Sequence, residues 1–141
     1  MLDDLAGAGS GDVLDLFAFP FPVAVIGELL GVPGTDQGAF RSLVRDSTAF
    51  IEAAPSEAEL DRAETALATM TAYFNDLVDH RSKRPADDLL SAMLAVDAGG
   101  DRLTREEIVS TAILLFGAGF ETTTNLIANG LELLMRHPDE Q

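Results

Sequence analysis

The sequence contains no cysteine and no tryptophan, and only two histidines. Without cysteine, disulfides, thiolate-bound metals and a cysteine nucleophile are all excluded within this chain. His80 and His137 are far apart, and neither has a carboxylate three residues upstream. The helical Glu-x-x-His pattern of di-metal bundles is therefore absent. Positive charge is scarce: 9 Lys and Arg stand against 24 Asp and Glu, for a formal net charge of −15. That balance argues against nucleic acid and against anionic membrane surfaces as partners, and for a soluble protein. Long uncharged runs are missing too. The apolar run in the second half of the chain ends at Glu121, short of the about 20 residues a bilayer span needs. Met1 is followed by LDDLAGAGSGD rather than by a basic and then an apolar region, so no secretory leader is expected. What remains is a chain of 141 residues, 47% hydrophobic, suited to one domain with a buried core.

The most informative stretch is TREEIVSTAILLFGAGFETTTNLIANGLELLMRH, Thr104 to His137. Thr104 can cap a first turn and Glu107 can reach back to it, while Leu103 and Ile108 are placed for a hydrophobic staple. His137 precedes Pro138, which pushes it out of helical geometry, and no proline lies between. The spacing predicts one helix of about 50 Å. Its centre, Thr111 to Phe120, has no charge and reads as buried on all sides. Yet that centre carries Gly117 and Gly119, each costing about 1 kcal/mol relative to Ala in a helix interior. Glu121 and three threonines, Thr122 to Thr124, follow, and threonine hydroxyls can bond the carbonyl four residues back. A helix that gives up stability in this way points to function. Leu114, Ala118 and Thr122 share one stripe, with Glu121 a step away. The small Ala118 and Gly119 would let something flat and bulky approach the backbone beside a hydroxyl and an acid.

The rest of the chain reads as helices joined by short connections, five or six in all. Met1 to Ala6 resembles the tail of a helix, followed by a flexible GAGSGD turn. Phe17, Phe19 and Phe21 read as core residues leading into Pro20 and Pro22. A short helix is predicted over Val23 to Leu30, with Gly31 as its stop and Pro33 beyond. Thr35 or Asp36 could cap a helix through Phe40, Leu43, Val44 and Phe50, ending near Ala54. Ser56 and Glu59 form a second capping box. The helix they open carries Leu60, Ala63, Leu67, Met70, Phe74, Leu77 and Arg81 as its inward stripe. Ala86 to Val96 predicts a shorter helix with Leu89, Leu90, Met93 and Leu94 inward, stopped at Gly99-Gly100, and Asp97 to Arg102 a tight loop. Glu59-Leu60-Asp61-Arg62 reads as a solvated ion pair.

AILLF followed by GAGFET could also be a strand, a glycine turn and a helix start, as in a dinucleotide fold. The third glycine of that fingerprint is missing, since Thr122 holds its place. The capping box at Thr104 also predicts continuous helix. Ala118-Gly119-Phe120-Glu121-Thr122-Thr123 instead resembles the central-helix signature of cytochromes P450. Gly27-Glu28-Leu29-Leu30-Gly31-Val32-Pro33 is similar to a helix-end motif common in soluble bacterial members. Asp87-Asp88-Leu89-Leu90 and Leu103-Thr104-Arg105-Glu106-Glu107 resemble their lead-in to the central helix, and His137-Pro138-Asp139 its close. The pieces fall in the family's order and cover essentially the whole chain.

This resemblance implies an all-α fragment of the mainly α P450 fold. Residues 1–141 would be the central helical part of a single domain, cut at both ends. The implied activity is that of a haem-thiolate monooxygenase, inserting one atom of O2 into a small hydrophobic organic substrate. A ferredoxin- or flavodoxin-type donor would supply the electrons. Ala118, Gly119 and Thr122 would lie against haem b, and Leu114 and Ala118 would face substrate. Thr122 would hydrogen-bond the oxygen species, directly or through water, and Glu121 would belong to the proton-delivery path. The helices at 35–54 and 56–84 correspond to the pair that roofs the substrate. The family's axial cysteine and its later Glu-x-x-Arg helix have no counterpart here, so this chain alone is expected to be inactive. A different class of function, an acidic all-α binding or regulatory module without haem, predicts a stable helical fold with no tetrapyrrole site.

Overall fold

The computed structural model describes residues 7, 11–47, 50, 53–96 and 102–140, and among these there are helices and turns but no strand. A π-helical turn, Leu14–Ala18, opens the described chain, and its i to i+5 pattern shows in the 2.9 Å bond from Phe19 N–H to Leu14 O. Six α-helices follow: α1 Pro20–Leu30, α2 Gly34–Gln37, α3 Phe40–Ser47, α4 Glu57–Lys83, α5 Leu89–Ala95 and α6 Arg105–Arg136. A 3-10 turn at Pro138–Glu140 closes the described residues.

Helix α6 is built as its sequence predicts. Thr104 accepts from the Glu107 N–H, and the Glu107 carboxylate accepts from the Thr104 N–H, so the capping box is complete. The same box forms at Ser56 and Glu59 and starts α4. It takes up the Glu59 carboxylate that the sequence had assigned to an ion pair with Arg62. Helix α1 ends at Gly31, whose φ of 73° is left-handed. There Val32 N–H reaches Gly27 O and Gly31 N–H reaches Glu28 O, the two bonds of a Schellman close.

Several boundaries differ from expectation. Helix α1 starts at Pro20 instead of Val23, because Pro20 sits at the first helical position, where its missing N–H costs nothing. The single helix expected near 35–54 is two pieces, α2 and α3, parted at Gly38-Ala39. Neither expected cap acts as one. Thr35 Oγ1 donates to its neighbour Asp36 Oδ1, while Asp36 Oδ2 accepts from the Tyr73 hydroxyl at 2.8 Å, so one local and one tertiary bond take these side chains. The second piece ends at Ser47 and Ala53-Ala54 form a bend, so the end expected near Ala54 is corrected. Met1 to Ala6 and the Gly99-Gly100 stop lie outside the described residues. Helix α5 begins at Leu89 and not Ala86, since Asp88 caps it by accepting from Ser91 N–H, and Ala86 N–H is drawn to Ser91 Oγ.

The core is an aromatic cluster between α3, α4 and α6. Phe40 lies 4.4 Å from Phe116 and 5.7 Å from Phe74, ring centre to ring centre, and all three are fully buried. On α4 the buried stripe is Ala63, Ala66, Met70, Phe74 and Val78. Leu67 was expected inward but is 40% exposed, because the i to i+4 row from Ala66 turns it to the side. Phe21 was read as core and is exposed; it stacks on Phe17 at 5.4 Å. Phe19 packs against the core, edge-on to Phe120.

Candidate functional site

Helix α6 presents two opposite faces. Ile108, Ala112, Phe116, Phe120 and Thr124 recur every four residues and are buried on the side that packs on α1 and α4, with Phe116 also against Phe40 of α3. Leu114, Ala118 and Thr122 recur at the same interval on the other side and are exposed, Leu114 by 68%. The expectation of a helix buried on all sides is therefore corrected: its charge-free centre is covered on one face only. The geometry follows from the 3.6-residue period, which keeps rows four residues apart on one side of the cylinder.

The sequence-predicted residues divide around the exposed stripe. Ala118 and Thr122 lie on it, one turn apart. Thr122 Oγ1 donates to Ala118 O at 2.8 Å, and Thr123 Oγ1 to Gly119 O at 3.0 Å. Thr124 makes no such bond. It is 7% exposed, and its hydroxyl has no partner among the described residues.

Gly119 lies off the stripe, on the flank toward α1. A Cβ there would come within 3.1 Å of Ile26 Cδ1 and Cγ1, so the absent side chain makes room for a neighbouring helix. Gly117 sits on the other flank, where a Cβ would be 3.7 Å from Val44 Cγ1 of α3. Sequence reasoning saw Gly119, together with Ala118, as space for a flat group. It missed Ile26, which no local signal could have paired with Gly119.

Glu121 is half-buried on the α3 side. It lines a cleft of about 220 Å³ together with Phe19, Arg41, Val44, Arg45 and Phe120. Arg41 is held over the Phe19 ring at 4.3 Å and pairs with Asp15 at 3.0 Å. The carboxylate thus shares its cleft with the Arg41 and Arg45 side chains, and the next residue, Thr122, stands on the exposed stripe.

A second constellation, unforeseen in the sequence, ties three helices together behind α6. The Arg81 guanidinium pairs with Asp88 through Nε and donates from Nη2 to Gly31 O at 2.9 Å. The Arg81 and Asp88 side chains are only 14% and 3% exposed. Burial opposes ionisation of Asp88, but the Ser91 N–H and the Arg81 guanidinium outweigh it and hold the carboxyl below its ordinary value. Arg81 had been read as the end of an apolar stripe. The Gly31 and Asp88 motifs, distant in sequence, meet at this pair.

Among the described residues no group of His, Asp and Glu could hold a metal ion, and no helix is long and apolar enough to cross a membrane. A flat apolar group fits the uncharged stripe, and a thiolate for its iron cannot come from a chain without cysteine.

A family model described as Cytochrome P450 matches residues 39–141. Cytochrome P450 monooxygenase PikC of Streptomyces venezuelae is 42% identical over 94% of this chain and 30% of its own length. Vitamin D(3) 25-hydroxylase of Pseudonocardia autotrophica is 41% identical over 100% of this chain and 34% of its own. Among solved structures, P450BioI in complex with a fatty-acid-ligated acyl carrier protein superposes with a TM-score of 0.91. It is 34% identical, over 99% of this chain and 35% of that one. The chain thus spans about a third of the length of the relatives it matches.

Proposed function

The chain belongs to the cytochrome P450 family, and on that premise we propose that it is the distal-side helical part of a haem-thiolate monooxygenase. The single observation that carries this reading is the uncharged, exposed stripe of Leu114, Ala118 and Thr122, with Glu121 on its flank. When bound, a haem with a thiolate ligand supplied from elsewhere in the polypeptide provides O2 activation and transfer of one oxygen atom. Everything else asked of this chain is done by its own side chains.

Leu114 and Ala118 form an apolar wall that excludes water, and the small Ala118 lets a flat ring lie near the helix backbone. Leu114 and Ala118 also bound the space for a small hydrophobic substrate. Thr122 spends its proton on Ala118 O, which leaves its oxygen free to accept a hydrogen bond from a water or a protonated group on the stripe. Glu121 can take a proton from the solvated cleft and release it toward Thr122, the role of a general acid. Gly119 contributes by letting α1 back the helix from the side.

Electrons would come from a ferredoxin- or flavodoxin-type donor in the cytoplasm. The relatives' names, among them 6-deoxyerythronolide B hydroxylase, support hydroxylation of an organic molecule. The test is the reduced, CO-bound difference spectrum of this chain and of a polypeptide extended to the relatives' length. A thiolate-type Soret band in the extended polypeptide alone supports the proposal. Its absence from both would leave the chain an acidic helical binding module.

A further inference from the structure

The two glycines at the centre of α6 meet different neighbours. At Gly117 an added Cβ would make an ordinary contact, 3.7 Å from Val44. At Gly119 it would stand 3.1 Å from Ile26 Cδ1 and Cγ1 and 3.5 Å from Ile26 Cβ. Packed carbons prefer about 3.5–4.0 Å, so α1 and α6 approach at Gly119 to a distance that only glycine permits without a shift.

Ile26 is buried and cannot readily retreat. Toward one end of α1, Phe19 lies edge-on to Phe120 with ring centres 5.5 Å apart. At the other end, Gly31 O accepts from the buried Arg81. Ile26 is therefore a wedge held at both ends, pressed against the turn whose outer side carries Ala118 and Thr122. The carbonyls of that turn are the ones that receive the Thr122 and Thr123 hydroxyls.

We propose that Ile26 is a positioning residue: through the backbone of α6 at Gly119 it sets how Ala118 and Thr122 stand on the exposed stripe. Its relevance to a bound haem rests on the function proposed above; the mechanical claim does not.

The test compares Gly119→Ala, Gly119→Ala with Ile26→Ala, and Gly117→Ala. Two signals are read: the backbone amide resonance of Thr122 in this chain, and the CO stretching band of the reduced, CO-bound extended protein. Gly119→Ala is expected to shift both signals. The double variant, whose nearest remaining atom is a β-carbon at ordinary contact distance, is expected to return them toward wild type, and Gly117→Ala to leave them in place. A folded Gly119→Ala that moves neither signal overturns the proposal, as does a folded double variant that restores neither. If Gly119→Ala does not fold, Ile26→Ala is compared with Val44→Ala. A Thr122 amide that moves no more in the first than in the second overturns the proposal. An extended wild type without a thiolate-type band would remove the haem reading alone, and the amide resonance would still decide the role of Ile26.

Discussion

Replacing Asp88 with Asn should destabilise the chain by about 3 kcal/mol. Asn keeps the size of the side chain and remains a good N-cap, so its oxygen still satisfies the Ser91 N–H, while Arg81 Nε loses both the opposing charge and its acceptor. Removing one partner of a buried pair costs about 3–5 kcal/mol, since the other charge is left uncompensated. Arg81 keeps its bond to Gly31 O and is 14% exposed, which puts the loss at the lower end of that range. In a domain of this size, about 3 kcal/mol lowers the thermal midpoint by roughly 10 °C. The folded state holds the Asp88 carboxyl below its ordinary value of 3.8, so its contribution is full above that value and is lost as pH falls through the depressed one. The gap between wild type and Asp88→Asn in urea unfolding, followed by far-UV circular dichroism, should therefore stay flat from pH 8 to about 5 and narrow below about 4. Asp79→Asn is the internal control, since the Asp79–Arg105 pair is exposed and its loss should not register. A gap under about 0.5 kcal/mol at pH 7 would place Asp88→Asn among ordinary surface changes and refute the reasoning. So would a gap that widens on acidification.

Thr124→Val should raise stability by about 1 kcal/mol, read as a higher urea midpoint, because it removes a buried hydroxyl that has no partner. Gly31→Ala should cost more than about 2 kcal/mol: the left-handed backbone alone costs about 1–2, and a Cβ would overlap the Asp88 carboxylate and lie 2.6 Å from Arg81 Nη2. Tyr73→Phe should cost about 1 kcal/mol through loss of the bond to Asp36, a difference visible in thermal melts. Burial first, and Asp36 second, push the Tyr73 phenol upward. That contribution is present below the ordinary tyrosine range and is lost only as pH rises above it, so the Tyr73→Phe gap should hold at neutral pH. In the extended, haem-loaded protein Glu121→Gln should lower turnover by about 100-fold without moving the CO-bound Soret band, as removal of a proton donor would.

The elements set by local chemistry were legible. Both capping boxes need only a hydroxyl residue and a glutamate three positions on, and both formed. The end of α1 at Gly31 and of α6 before Pro138 follow from backbone rules that act within a few residues. What was not legible is where a side chain chooses a distant partner over a local one. Asp36 could have capped a helix, but it takes the Tyr73 hydroxyl on α4, and the segment after Pro33 breaks into two pieces. Arg81 fell on the spacing of an apolar stripe, but it turns to Asp88 and to the carbonyl of Gly31. Asp88 looked like part of a helix lead-in, and it is both the cap of α5 and the partner of a buried charge.

The same distinction runs through the candidate site. Spacing was enough to group Leu114, Ala118 and Thr122, because a helix has one period and its rows can be counted. It could not say which of two apolar rows faces the core, since the row from Ile108 to Thr124 and the row from Leu114 to Thr122 are equally free of charge. Packing decides this. Phe116 and Phe120 have aromatic partners at Phe40, Phe74 and Phe19, and Leu114 and Ala118 have none among the described residues. An uncharged row left exposed in a chain of net charge −15 is a surface shaped for contact rather than for solvent. Two polar groups border the row: the Thr122 hydroxyl at one end, and Glu121 at the side, in the cleft lined by Arg41 and Arg45. Gly119, read in the sequence as ligand space, is also where α1 comes close: a Cβ there would stand 3.1 Å from Ile26, a contact that only the packing of two distant segments reveals.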